Sequence, residues 1–336
     1  MDTGTVGSLF VPAGASWLPT DLARGPWSVD ALHGGPVAAL VARAIEQLAG
    51  EQATDRARTA AGVIAGAERA GPPERSAHSD HQSDTMVTAR LTVELLRPVP
   101  VAPLTVTAAV TRPGRKVQLL EARVTAAGRD VAWARAVLLR RHGDPRWPGP
   151  RGTAGDDRSG DAHGPRTSPP GSRTPRTSLQ DDTQARTRGP AIPVSPPGPE
   201  QAKPQLGLTD AYPAFHNVGS ELRFVDGAFD TLGPSTVWVR LRAPVVPGEL
   251  PSPLQRAAAA ADFGNGVSAV LPFDQWRFLN PDLTVVLHRP PVGEWVGLQA
   301  RTDLGVPGVG VATSVLWDTQ ATIGSATQTL VVEHRP

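Results

Sequence analysis

The chain has 336 residues, 33 basic and 32 acidic, so its net charge is +1; 40% are hydrophobic and 19% charged. A near-neutral chain is a poor partner for a nucleic-acid polyelectrolyte, and none is expected. The absence of cysteine excludes a disulfide framework, a thiolate zinc site and a cysteine nucleophile.

The 34 glycines and 35 prolines exceed ordinary usage, so part of the chain is expected to stay outside any core. The first eight residues have neither a basic n-region nor a long apolar stretch, so no signal peptide is expected. No apolar run approaches the ~20 residues of a membrane span. The expectation is a soluble cytoplasmic protein with no membrane partner.

Taken along the chain, the first strong pattern is helical. Val37, Leu40, Val41, Ala44, Ile45 and Leu48 recur on one face, with Arg43, Glu46 and Gln47 opposite. Pro36 suits the first turn and Gly34-Gly35 the entry to it. Residues 51–84 are Ala/Glu/Arg-rich and then polar, a polar insertion predicted to extend the helix and end as a loop. Period-two alternation then predicts strands over 87–95, 104–110, 117–126 and 131–139. Residues 142–208 read as a disordered Pro/Gly/Ser/Arg-rich linker. Their only large apolar residues are Trp147, Leu179, Ile192, Val194, Leu206 and Leu208. So few cannot offset roughly 1–2 kcal/mol of conformational entropy per ordered residue.

Beyond the linker, strands are predicted over 236–242, 283–288, 295–302, 309–317 and 323–332. An Ala-rich helix, Leu254 to Ala261, stops at Gly264-Asn265-Gly266. The two ordered blocks, 6–141 and 209–336, overlay. Residues 91–98 (LTVELLRP) match 283–290 (LTVVLHRP), and 131–139 overlay 323–331, at the same offset of 283 − 91 = 192. A constant shift over such a span points to an internal duplication. Each copy is an α+β unit, one helix on a face of an antiparallel sheet.

Several chemistries are missing. The sequence contains no nucleophile elbow, Walker loop or dinucleotide fingerprint. Gly305 to Gly310 lies between strand patterns and reads as a hairpin turn. No metal-ligand spacing occurs, and neither a metal nor a cofactor is expected. Of eight histidines, only His33, His216 and His288 fall in ordered blocks away from their ends. They are not clustered, and each has the ordinary reading of a satisfied structural histidine. Gln328 stands in the otherwise small and apolar row Gly324, Ala326, Leu330, Val332. A buried amide without partners costs on the order of 1–3 kcal/mol. Holding a water molecule is one reason for its presence, and a bond to backbone is another. Asp262 closes the Ala-rich helix, where the C-terminal dipole disfavours a carboxylate.

The residues AADFGNG (260–266), WRFLNPDLTVVLHRPP (276–291), Gly293-Glu-Trp295, Leu316-Trp-Asp318 and Ala326-Thr-Gln328 make a set. With HGGPVAALVARA (33–44) in the first block, the chain resembles the acyl-CoA thioesterase II (TesB-like) family of double hotdog proteins. The resemblance implies an α+β double hotdog: an N-terminal hotdog over 6–141 and a C-terminal one over 209–336 carrying the active site. It implies hydrolysis of acyl-CoA by water, with Asp262, Thr284 and Gln328 as the catalytic set. Thr92 overlays Thr284, so a plain strand preference is the other reading of that threonine. Arg223, Arg289 and Arg97 are candidates for the CoA phosphates. Phe263, Trp276, Trp238 and Phe278 could line an acyl pocket, with core packing as their default. Acyl-CoA is the expected partner, bound by a monomer or a homo-oligomer of double hotdogs. A non-catalytic acyl-CoA binder remains open. So does a hotdog hydratase, whose one candidate base is His33.

Overall fold

The computed structural model describes residues 7–67, 85–141, 195–205 and 211–335, the side chains of 60–67 excepted. The chain begins with a hairpin, β1 (Phe10–Ala13) and β2 (Ser16–Pro19), and then enters α1 (Gly34–Ala67). Val37, Leu40, Val41 and Ile45 are at most 1% exposed. Burying each such side chain stabilises the fold by about 1.5–3 kcal/mol. Four long strands follow: β3 (Met86–Leu95), β4 (Leu104–Arg112), β5 (Val117–Ala126) and β6 (Arg129–Arg140).

The second half opens with β7 (Lys203–Gln205), β8 (Ser220–Asp226) and β9 (Ser235–Leu241), then α2 (Pro253–Ala261) and one short turn, α3 (Gly264–Val267). It closes with β10 (Trp276–Leu279), β11 (Asp282–Leu287), β12 (Trp295–Leu304), β13 (Val309–Trp317) and β14 (Thr322–His334). All described strands join one antiparallel sheet in the order β1-β2-β4-β5-β6-β3-β11-β14-β13-β12-β9-β8-β7, with β10 beside β14.

That order is a palindrome about the β3–β11 join. Strands 4-5-6-3 on one side mirror 12-13-14-11 on the other. The register carries the same symmetry, because Thr92 faces Thr284 and 284 − 92 is the repeat offset of 192. A pseudo-twofold axis therefore crosses the sheet at this threonine pair, whose hydroxyl oxygens lie 3.1 Å apart. The duplication visible in the sequence is thus built into a double hotdog fold, with α1 and α2 packed against each other inside the curved sheet.

The helices approach so closely that a Cβ on Gly35 would lie 2.5 Å from the carbonyl oxygen of Ala259. Glycine at 35 is a packing requirement. One apolar cluster runs through both halves, from Val37 and Leu91 to Ala258 and Leu298.

Two expectations are corrected. Residues 195–205, placed in the disordered linker, are ordered: a 3-10 turn over Pro199–Gln201 leads into β7, which pairs with β8. The Trp238 indole N–H donates to the Pro197 carbonyl at 2.7 Å and pins the segment. Such a Pro-rich stretch can serve as a strand because β7 is at the sheet edge, where one side needs no ladder bonds. The remainder of the expected linker, 142–194 and 206–208, lies outside the described residues. So does 68–84, beyond the point to which α1 extends. The chain also continues past α2 into α3, where the glycines at 264 and 266 suggested a stop.

Candidate active site

Ser252 caps α2, its hydroxyl accepting from the Gln255 N–H at 3.1 Å. Asp262 closes the same helix and is 5% exposed. Its carboxylate lies against the N-terminus of α1, where a Cβ on Gly34 would be 2.7 Å from one oxygen and 2.9 Å from the other. The positive end of α1 thereby offsets the unfavourable C-terminus of α2. Reading α2 alone could not show this, since the compensating helix comes from the other half.

Three side chains converge on Asp262. Asn280 Nδ2 donates to Oδ1 at 2.8 Å, Gln328 Nε2 donates to Oδ1 at 3.2 Å, and His33 Nδ1 is 2.8 Å from Oδ2. Gln328 is 1% exposed and fully engaged. Its Nε2 also reaches the Asp262 carbonyl at 3.2 Å, and its Oε1 accepts from the Asn265 N–H at 3.0 Å. The buried amide is therefore the piece that ties β14 to the α2–α3 turn. His33 immediately precedes α1, its ring 4.8 Å from that of Phe263 and 5.1 Å from that of Phe215.

This cluster borders a cavity of about 500 Å³. Leu32, Leu95, Phe229 and Phe263 contribute apolar wall, while His33, Asp262 and Asn280 contribute polar wall. Arg97, Arg277 and Arg335 lie on the same cavity.

The expected site residues divide. Asp262 and Gln328 are brought together, and Phe263 lines the cavity. Thr284 does not join them. It pairs across β11–β14 with Thr327, on the exposed face of β14, whereas Gln328 points inward. The sheet separates the two side chains, and the Thr284 hydroxyl is bonded to Thr92 on the pseudo-twofold axis. Asn280, in the turn between β10 and β11, fills the third place beside the carboxylate. Trp276 is absent from the cavity wall and packs on His334 and the small core around Phe278. Trp238 is likewise core.

Arg223 and Arg289 are occupied elsewhere. Arg223 donates to Glu221 at 2.8 Å and to the Pro199 carbonyl at 3.1 Å, with its guanidinium 4.9 Å over Trp295. Arg289 is bidentate to Asp318 at 2.5 and 2.6 Å, in the β13–β14 turn. Burial pushes the Asp318 carboxyl up, but Arg289 and the N–H groups of Val292, Ala321 and Gln320 outweigh it and hold the pKa at about 2. A carboxylate lowered in the folded state adds stability above its ordinary value near 3.8 and loses it as pH falls toward 2. Asp318→Asn is expected to cost roughly 3 kcal/mol at pH 7, and urea unfolding should show the gap to wild type closing between pH 4 and pH 2.

Glu46, from the first half, meets the N-terminus of α2 in a related way, accepting from Ser252 Oγ at 2.8 and 2.7 Å and from Gln255 Nε2 at 3.1 Å. Burial pushes its carboxyl up. Glu46 is not part of the wall of the cavity that Asp262 lines. Among the described residues no group of three or more acidic or histidine side chains could hold a metal ion. No helix among them is long and apolar enough to cross a membrane.

The double hotdog thus places a buried carboxylate at a cavity. The chain belongs to the acyl-CoA thioesterase family: residues 23–140 match the model of the acyl-CoA thioesterase N-terminal domain and 191–332 that of the C-terminal domain. No match was found among curated proteins. Among solved structures, the chain is similar to a presumptive thioesterase of Novosphingobium aromaticivorans, at 15% identity and a TM-score of 0.55, covering 96% of this chain and 98% of that one. It is similar at the same identity and TM-score to a hot dog fold protein of unknown function from Alicyclobacillus acidocaldarius, covering 97% and 96%. A tesB protein of Mycobacterium avium subsp. paratuberculosis matches at 12% identity and a TM-score of 0.50, covering 97% and 96%. These likenesses establish the fold.

Proposed function

We propose that the chain hydrolyses an acyl-CoA to the free acid and CoA, using water activated through Asp262. The observation that carries this reading is the placement of one buried carboxylate, held by His33, Asn280 and Gln328, on a cavity at the start of α1. A thioester needs a nucleophile and a preorganised site for the oxyanion. The carboxylate supplies the charge that activates water, and the two amides fix its orientation. The first N–H groups of a helix have no intrahelical partner, so the start of α1, where Gly34 lines the cavity, is the source of the oxyanion donor, and the Gly34 N–H is assigned that role.

The cavity is of a size for an acyl group and the thioester end of the pantetheine arm. The rest of CoA then runs over Arg97, Arg277 and Arg335. Neither Arg97 nor Arg277 is paired with a carboxylate among the described residues, which leaves both guanidinium groups for phosphate.

The test is release of free thiol from short-, medium- and long-chain acyl-CoA. Turnover is expected, with kcat/KM roughly 10–100-fold lower for the N-acetylcysteamine thioester of the same acid, which lacks the phosphates. Saturable binding of acyl-CoA without thiol release would make the chain a binder, and hydration of crotonyl-CoA without thiol release would make it a hydratase.

A further inference from the structure

Resting on the hydrolase reading, the geometry points to His33, through Nε2, as the atom that takes the proton from water and hands it to the leaving sulfur. Asp262 is then the group that orients it. Both lone pairs of Asp262 Oδ1 are used by Asn280 and Gln328. Oδ2 faces His33 Nδ1 at 2.8 Å and is crowded by the α1 backbone at Gly34. Little of the carboxylate is left for water.

The histidine is placed differently. Two groups face Nδ1: the Gly35 N–H, 3.1 Å away and aligned to donate to it, and Asp262 Oδ2, 2.8 Å away. A lone pair set against the ionised carboxylate at that distance is the costlier arrangement, so the proton is assigned to Nδ1. The lone pair is thereby on Nε2. That nitrogen has no hydrogen-bond partner among the described residues, and His33 lines the cavity with its side chain 10% exposed. Phe215 and Phe263 fix the ring plane. This is the carboxylate–imidazole arrangement in which the acid sets the tautomer and stabilises the imidazolium.

The steps balance. Nε2 accepts a proton as the water oxygen bonds to the thioester carbon, and the C=O π pair moves onto oxygen beside the Gly34 N–H. The oxyanion then re-forms C=O, the C–S bond breaks, and the sulfur leaves with the bonding pair. It takes the proton from Nε2, leaving the acid, the CoA thiol and neutral His33.

The test uses the full chain with the acyl-CoA that wild type turns over best. His33→Gln is expected to lower kcat roughly 10²–10⁴-fold with KM within about threefold, and to lose the acid limb of the pH–kcat profile. His33→Asn should behave alike, and imidazole should restore part of the turnover of His33→Ala. The other titratable or charged groups on the cavity are Asp262, His216, Arg97, Arg277 and Arg335. All remain in these variants, so a limb lost with His33 belongs to it. Nitrogen NMR of the wild-type imidazole gives a readout independent of variant folding: a proton on Nδ1 and none on Nε2 at rest. Activity within threefold of wild type in His33→Gln, or the opposite tautomer, would overturn the inference and return the base to the carboxylate. Absence of thiol release by wild type would instead remove the hydrolase reading beneath it.

Discussion

Asp262→Asn is expected to lower kcat for thiol release by roughly 10³–10⁴-fold while leaving the melting temperature within a few degrees of wild type. Asparagine is nearly the same size, so packing at the end of α2 is kept. What changes is the donor pattern. Oδ1 accepts from two amides, Asn280 and Gln328, so the oxygen of the new side chain must stay there and its NH2 must face His33. A donor at that point forces Nδ1 to accept, which moves the imidazole proton to Nε2. Both the negative charge and the required tautomer are lost in one substitution. A fall of less than tenfold, in a variant that melts like wild type, would mean that Asp262 is a structural carboxylate.

Gly34→Ala is expected to have the second-largest effect, through position alone. The new methyl would lie 2.7 and 2.9 Å from the Asp262 oxygens, closer than real Cβ contacts allow. The carboxylate cannot simply swing away, because Asn280, Gln328 and His33 hold it from three sides. A shift of about 1 Å at a catalytic group costs roughly 10²-fold, and kcat should fall by that order with the fold retained. Gly35→Ala is the useful contrast. Its methyl meets the Ala259 backbone at 2.5 Å, so the penalty is expected mainly in stability, about 1–3 kcal/mol by denaturant unfolding. Full activity in Gly34→Ala would show that the carboxylate does not need its place against α1.

The architecture was open to sequence reasoning wherever the pattern is local. The strand over 309–317 has the bounds expected from alternation, and α2 begins one residue before the predicted helix. The 192-residue offset pointed to the duplication, which the palindromic sheet carries as equivalent strands about an axis. Gln328 was legible as an inward amide from the small residues beside it.

The rest depended on contacts between distant segments. The face of β11 that carries Thr284 is set by its register with β14, and Thr284 opposite Thr327 puts it outside. Asn280 sits in a turn between β10 and β11, where alternation says nothing. His33 and Asp262 come from different halves, so neither strand nor helix periodicity could bring them together. The arginines were misleading for a related reason: Arg223, in the middle of β8, and Arg289, just past β11, read like ligand-binding cations, yet Glu221 and Asp318 are already beside them. Strand β7 was hidden by its composition, since an edge position tolerates the proline and lysine that look like linker.

The central claim is that the two halves build one reaction centre where Asp262 of the second meets the start of α1 in the first. A crystal structure with an acyl-CoA analogue whose thioester is replaced by a methylene thioether or ketone linkage tests it directly. The account predicts the acyl carbon in the cavity beside His33, with any carbonyl oxygen toward the Gly34 N–H and the phosphates on Arg97, Arg277 or Arg335. An analogue seated on the opposite face of the sheet, near Thr92 and Thr284, or bound with its acyl carbon out of hydrogen-bonding reach of the Asp262–His33 pair, would contradict it.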